Sequence, residues 1–497
     1  MSDTEHIVPP AGVPHAAAPP EAPPPRAPHD PAHAGRANGL WSSLRAALRG
    51  TEMDFTTGSL GKAVFLLSVP MVLEMLGESI FAVVDAFFVG RLGAAQLAAV
   101  ALAETFLEII YAIAIGLSMA TTAMVARRIG EKNVRAASAT AVQAIAVGIV
   151  FGVVLGVVGV IFAPTFLRWM GADEATVAVG TGYTRFLYGG MIWILLLFLI
   201  NAVFRGAGDA TSAMHALWVA NAINIVLDPL LIFGVGPFPE LGLTGAGVAT
   251  TIGRGTGVVF QIWWLTHRGD RLRVRRADMR LDFGIIQRML HLSIGGIGQF
   301  LVSQTSWIGL IRILSTYGTQ VLAGYMVAIR IVIFVVLPAW GMSNAAATLV
   351  GQNLGARKPE RAERSVWLTG FWNMAFMLVV TVVFVVFPRP MIGFFTQDPL
   401  ALETGVKCLR IISCGYAFYA WGMVMMNAFN GAGDTVTPTW INFLCFWLVQ
   451  IPLAASATFV FRIGPEGVFA SIAIAYSLSA VVGIYLFRKG RWKDKVA

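Results

Sequence analysis

The stretch FRGAGDAT at residues 204–211 returns as FNGAGDTV at residues 429–436. Gly208 and Gly433 therefore stand 225 positions apart. The same offset aligns Ser68 with Ser293, Gly93 with Gly318, Leu97 and Ala98 with Leu322 and Ala323, and Gly130 with Gly355. It continues through Phe162 and Phe387, Asp173 and Asp398, and Gly242 and Gly467. One ungapped register held over about 170 residues marks an internal duplication, so the fold is one plan built twice.

Composition says what kind of plan. The chain has 497 residues, of which 57% are hydrophobic and only 13% charged. A soluble protein of this length needs more charge to cover its surface. Runs long enough to cross a bilayer are read at 62–89, 95–124, 137–163, 176–203, 211–234 and 243–266. A second set follows at 285–314, 320–350, 364–388, 401–428, 437–460 and 467–487. Their length and helical periodicity exclude a barrel of alternating strands. The fold class is an all-α polytopic membrane protein. Twelve transmembrane helices form two six-helix lobes in the same orientation, related by a pseudo-twofold along the membrane normal.

The formal net charge of +9 does not point to nucleic acid, because the basic residues gather in one set of short loops. That set holds Arg127, Arg128, Lys132 and Arg135, the arginines between 268 and 280, then Arg357, Lys358, Arg361, Arg364 and the C-terminal RKGRWKDKVA. The opposite loops carry only scattered Arg91, Arg168, Arg389, Lys407 and Arg462. By the positive-inside rule both termini are cytoplasmic, in a multi-pass protein of the cell (inner or plasma) membrane. Residues 1–37 hold ten prolines and four histidines and read as a disordered cytoplasmic tail, without the apolar core of a signal peptide. Residues 38–57 read as an interfacial amphipathic helix, with Leu40, Trp41, Leu44 and Leu48 on one side and Arg45 and Arg49 on another. The N-lobe spans 58–266, a basic cytoplasmic linker 267–284, the C-lobe 285–487, and a basic tail 488–497. The three cysteines, Cys408, Cys414 and Cys445, read as free packing thiols.

Against this apolar background the acids stand out, since a carboxylate at mid-bilayer costs roughly 2.5–3.5 kcal/mol on insertion scales. Glu74, Glu78 and Asp85 fall within about 40° of one another on the first helix. Glu104 and Glu108 form a pair on the second, and Asn221, Asn224 and Asp228 repeat the spacing on the fifth. The duplication supplies a control. Adding 225 turns Asp85, Asn224 and Asp228 into Leu310, Val449 and Leu453, and Glu74, Glu78, Glu104 and Glu108 into Gln299, Ser303, Ile329 and Ile333. The plan is thus built once with these acids and once without them, so the fold does not require them. This marks Asp85 and Asp228 as a functional ion site, while for the glutamates a role in capping a helix break or pairing with a neighbour stays open. Only Arg312 and Arg330 are read as basic residues well inside spans, Arg330 as a structural tether. No His, Ser or metal constellation of an intramembrane enzyme is found, so no catalytic residue and no cofactor is assigned.

In order, VDAFFVGRLG (84–93), RGAGDAT (205–211), NIVLDPLLIFG (224–234) and LVGQNLGARKPERA (349–362) resemble the multidrug and toxic compound extrusion (MATE) family, across essentially residues 58–488. The resemblance is to its prokaryotic DinF-like branch. It implies two lobes around a central cleft and a cation-coupled (H⁺ or Na⁺) antiporter. Such a protein exports small, cationic amphipathic compounds by rocker-switch alternating access. A lipid-linked saccharide flippase of the same superfamily is the alternative. The resemblance places ion coupling at Asp85, Asn224 and Asp228, with Thr250 or Thr251 as a fourth member and Na⁺ as a candidate ion at the first three. Glu74, Glu78, Glu104, Glu108 and Asn221 form an additional polar pocket outside the family pattern. A second branch places acids on helices 7 and 10, where this chain has Gln299 and Gln304. The expected partners are small-molecule substrates, H⁺ or Na⁺ and membrane lipids, but no nucleic acid, and the expected unit is a monomer.

Overall fold

A computed structural model describes residues 40–50, 53–268, 271–275 and 279–495. The proline-rich stretch 1–37 and parts of the 267–284 linker lie outside the described residues. Helix α1 (Leu40–Arg49) precedes α2 (Leu60–Gly90), α3 (Ala94–Gly130), α4 (Val134–Trp169), α5 (Glu174–Gly189), α6 (Met191–Ala207), α7 (Ala210–Phe233) and α8 (Leu243–Trp263). The second half holds α9 (Phe283–Leu314), α10 (Thr319–Gly355), α11 (Pro359–Val386), α12 (Pro388–Gly393), α13 (Pro399–Ser413) and α14 (Tyr416–Gly431). It ends with α15 (Val436–Asn442), α16 (Ile451–Ala455) and α17 (Pro465–Arg488). The α15–α16 stretch is one span, loosely wound to Val460.

Eight helical segments are long and apolar enough to cross a bilayer, and α5–α6 and α13–α14 are spans bent by 41° and 59°. These bends fall at Gly190 and Gly415, which are 225 residues apart. The other two of the twelve spans are α2, with 31 residues, and α8, with 21. Helix α2 carries Glu74, Glu78 and Asp85 in an otherwise strongly apolar run, and α8 is diluted by Arg254 and its glycines. At 1.5 Å per residue even α8 reaches about 31 Å, enough to cross.

The repeat is exact enough to be seen in backbone detail. Lys132 and Arg357 both take left-handed backbones (φ 60° and 57°), as do Gly208 and Gly433 (83° and 85°). Asp209 caps α7 by accepting from Ser212 N, and Asp434 accepts from Thr437 N at the equivalent turn. Asp173 and Asp398 cap α5 and α13 in the same way.

The lobes meet across a seam of reciprocal contacts. A side chain at Gly130 would strike Gln352 O, and one at Gly355 would strike Arg127 O. Residues 127 and 352 are themselves duplicate positions, so the two contacts exchange under the pseudo-twofold. Gly116 abuts Ile297 N, while Gly341 abuts Val72 N, which repeats the exchange. Helices α3 and α10 run parallel through this seam, with their C-termini at the same end, so the axis lies along the helices. Small residues here let backbones touch, the usual way for membrane helices to pack closely.

All of these contacts lie toward the end that carries the basic loops. That end is closed further by the segment just before α2. Asp54 pairs with Lys132 at 2.6 Å. Lys358 Nζ donates to Thr56 O, and Arg361 donates to the carbonyls of Phe55, Thr57 and Gly58. One strap is therefore fastened to both lobes. Burial would raise the Asp54 carboxyl, but hydrogen bonds from Lys132 and Thr56 hold it at about 2. A depressed value of this kind contributes stability above the ordinary carboxylate range and loses it only as pH falls toward 2. The strap therefore stays fastened through physiological pH. Nearer the opposite end, Glu104 and Glu108 on α3 and Arg330 on α10 are exposed.

Because Gly130 and Gly355 are twofold partners, Gly130→Ala and Gly355→Ala are expected to wedge the sealed end apart to a similar degree. Spin-label distances across that end should broaden toward longer values in both variants. Tolerance of one substitution and not the other would contradict the shared-seam geometry.

Candidate functional site

Close packing of α8 on α7 builds the first part of the site. A Cβ at Gly253 would come within 2.7 Å of Ala220 O and 3.0 Å of the Asn224 Cβ, and one at Gly257 within 2.9 Å of the Ala220 Cβ. The bare glycine face brings Thr250 beside Asn224, and Asn224 lies one turn from Asp228 on α7. Pro229 continues the helix without donating to it, leaving a carbonyl of the preceding turn free beside the acid.

Asp228 is completely buried. With the Asn224 amide nitrogen turned toward it, Nδ2 lies 2.7 Å from an Asp228 carboxylate oxygen, and Thr250 Oγ1 donates to Asn224 Oδ1 at 3.0 Å. With the amide rotated by half a turn, Nδ2 donates to Thr250 Oγ1 at 3.0 Å. Asn224 Oδ1 then faces Asp228, where it can accept from a protonated carboxyl. The same heavy-atom frame thus satisfies a charged or a neutral Asp228, at the cost only of an amide flip. Asp85 on α2 lies within electrostatic reach of Asp228 and of Arg254. Thr251 points elsewhere, donating to Phe186 O and Gly247 O. Of the two threonines it is Thr250 that joins Asn224 and Asp228.

The glutamates divide. Glu74 accepts from Arg205 Nη1 at 2.8 Å and from Asn201 Nδ2 at 3.1 Å, and Asn201 Oδ1 in turn accepts from Gln261 Nε2 at 2.7 Å. Glu78 accepts from Arg254 through both oxygens and from Asn221 Nδ2 at 3.1 Å. Glu104 and Glu108 are exposed at the opening, and Gln304 of the other lobe donates to Glu108 at 3.0 Å. The stripe read as one pocket is therefore two ion pairs, each with one member buried and one partly exposed, and two exposed acids. This corrects the reading that Arg312 and Arg330 are the only basic residues inside spans. Arg254 lies buried in α8, and Arg205 half-buried at the end of α6. Arg330 is exposed, in reach of Glu104, rather than a buried tether. Arg254 escaped notice because GRGTG reads as a weak, glycine-rich span, and its partner stands 176 residues away.

Between the lobes lie two cavities with a common wall. One of about 460 Å³ is lined by Glu74, Glu78, Glu108, Tyr111, Arg205 and Arg254 on the N-lobe side. The other, of about 370 Å³, is lined by Trp307, Tyr416, Tyr419, Met423, Phe446 and Tyr476 of the C-lobe. Phe300, Trp340, Asn427 and Asn430 belong to both. One wall is ionic and the other aromatic, with the neutral polar Gln299, Gln304 and Asn442 among its residues. A cleft between two twofold-related lobes, with charged side chains on one wall only, is the architecture of a transporter.

A family sequence model described as MatE matches residues 70–230 and again 297–456, once per lobe. The chain belongs to the MATE family. It is a multi-pass membrane transporter. The probable multidrug resistance protein YoeA of Bacillus subtilis (strain 168) is 26% identical over 442 residues, 88% of this chain and 95% of that protein. An FAD transporter of Shewanella oneidensis is 24% identical over 430 residues, covering 86% and 95%. A solved structure described as the outward-facing conformation of a multidrug resistance MATE family transporter superposes with a TM-score of 0.83 at 25% identity. The match covers 89% of this chain and 98% of that one.

Within this MATE chain the C-lobe repeats each N-lobe pair in neutral form. Glu74 and Arg205 become Gln299 and Asn430, whose side chains still bond, Asn430 Nδ2 to Gln299 Oε1 at 3.2 Å. The MATE plan needs a polar link at this place but not a charged one. Removing one member of a buried pair costs about 3–5 kcal/mol, because the other charge is left unpaired. Arg205→Asn alone should therefore lower the melting temperature of the purified protein and its monodisperse fraction. Glu74→Gln with Arg205→Asn, the C-lobe's own pair, should restore both. A double variant as damaged as the single one would show that the charges themselves hold the fold.

Proposed function

We propose that this MATE chain is a cation-coupled antiporter of the cell inner (plasma) membrane. It exchanges H⁺ or Na⁺ for small, cationic amphipathic compounds and exports them by rocker-switch alternating access, with both termini cytoplasmic. One observation carries the reading. Asp228 is a fully buried carboxylate whose neighbours on hand, Asn224 and Thr250, are neutral, and the equivalent positions 453, 449 and 475 are Leu, Val and Ala. A charge kept in the membrane without a basic partner, in one copy of a duplicated plan only, is an ion-exchange group.

The oxygens of Asp228, Asn224 and Thr250 are hard donors suited to Na⁺, while the amide flip suits a proton. Asp85 supplies a second acid nearby. With the basic loops in the cytoplasm, the sealed end is cytoplasmic and the arrangement is outward-open. Filling the N-lobe site changes its charge and so the balance between packings across the glycine seam. The ionic wall carries three acids against two arginines, with Asp85, Asp228 and Glu104 beyond it, and the facing wall is aromatic. This favours a cation with an apolar body. A saccharide flippase, which would present a basic cleft to lipid phosphates, is not favoured by such walls.

Asp228→Asn is expected to insert and fold, since Asn is nearly isosteric and cheaper to bury. It should lose gradient-driven dye efflux from proteoliposomes down to the level of empty vesicles. Asp85→Asn should behave alike, whereas Leu310→Ala and Leu453→Ala at the duplicate positions should change thermal stability and leave coupling intact. Efflux by Asp228→Asn at the wild-type rate under either an H⁺ or a Na⁺ gradient would remove Asp228 from the mechanism.

A further inference from the structure

The ionic wall of the cleft contains one pair that neither the fold nor the ion site accounts for. Arg254 Nη2 donates to Glu78 Oε1 and Nη1 to Oε2, the latter at 3.3 Å, while Asn221 also donates to Oε2. The guanidinium sits 5.1 Å from the centre of the Phe81 ring. The two members are unequally placed, with the Glu78 side chain 32% exposed and the Arg254 side chain 9%. Both line the cavity, and the carboxylate is the more accessible of the two. In the C-lobe the same two positions are Ser303 and Ser479, so the helix packing does not depend on a charge at either. Arg254 has a second acid in reach, Asp85, two turns further along α2, and Tyr111 faces it from α3.

We propose that Glu78 is the docking carboxylate for the cationic head of the transported compound, and that Arg254 is its built-in competitor. The compound takes the place of Arg254 on Glu78, and the released guanidinium turns toward Asp85. This rests on the reading of the protein as an exporter of cationic amphiphiles. The physical argument is one of exchange. A bare carboxylate in a cavity of low polarity is strongly disfavoured, so Glu78 needs a partner while the cleft is empty. A cation entering the cleft trades one ion pair for another at little net cost. A neutral compound offers nothing in return for breaking the pair and is refused. The arrangement also links the two sites, because a guanidinium turned toward Asp85 adds positive charge beside Asp228 and opposes a coupling cation there.

The test is equilibrium binding of tetraphenylphosphonium, a permanent cation without hydrogen-bond donors, to the purified full chain in lipid nanodiscs with no gradient. Glu78→Gln leaves Arg254 facing the cleft and should weaken binding by at least about tenfold, and Arg254→Gln frees Glu78 and should tighten it by a similar factor. The double variant should fall between the two. Should Arg254→Gln not fold, the comparison of Glu78→Gln with the double variant decides, since removing Arg254 then relieves repulsion and must tighten binding. Equal affinities across wild type and variants, or weaker binding on removal of Arg254, would overturn the proposal while leaving the cationic-cargo reading in place. Failure of the wild-type chain to bind the cation at all would overturn both.

Discussion

A carboxylate within a membrane must find a partner or have work to do, and the N-lobe is organised around that constraint. Glu74 finds Arg205 and Glu78 finds Arg254, each reinforced by a buried asparagine. Glu104 and Glu108 avoid the cost by facing the open end of the cleft. Asp228 does neither. It is buried with an amide and a hydroxyl for company, in a frame that accommodates it charged or neutral. The glycine face of α8, the proline after Asp228 and the seating of α2 against α7 through Trp218, whose Nε1 donates to Leu73 O, all serve to hold that acid in place.

The same duplicated plan gives the lobes something to move against. Their contact is a set of glycine-lined, pairwise exchanged backbone touches at one end, and the strap 53–58 is tied to both sides of it. Contacts of this kind are matched by shape, backbone against backbone, with small residues letting the helices approach. The bends at Gly190 and Gly415 recur in both lobes and leave each six-helix body with the same outline. The lobes differ in the loosely wound span ending at Val460, where α7 is a regular helix, and in the walls they present: ionic on one side, neutral and aromatic on the other.

Much of this was legible in the residues. A constant offset of 225 is a statement about topology, and it held down to the left-handed Lys132 and Arg357 and the capping Asp209 and Asp434. The acid stripe on the first helix was legible because helical spacing fixes a face. Its division was not. Whether Glu78 is an open acid or a paired one depends on Arg254, five spans away in a glycine- and threonine-rich helix that looks poorly apolar rather than charged. Nor could spacing choose between Thr250 and Thr251, adjacent residues that point in different directions from α8. The bend at Gly190 was hidden because a glycine within a run long enough to span reads as part of one continuous helix. Local pattern reports which face a residue occupies, and only the fold reports what stands opposite it.

The central claim is that the buried N-lobe acid Asp228 holds the coupling ion that cargo binding displaces, and the most direct test is ion release on cargo binding. Tetraphenylphosphonium added to the purified protein in weakly buffered solution should displace the bound ion. The signal is acidification read by a pH dye for H⁺, or a rise at a sodium-selective electrode after Na⁺ loading. The account predicts release from the wild-type chain and none from Asp228→Asn at equal occupancy by the cation. Undiminished release from Asp228→Asn would contradict it.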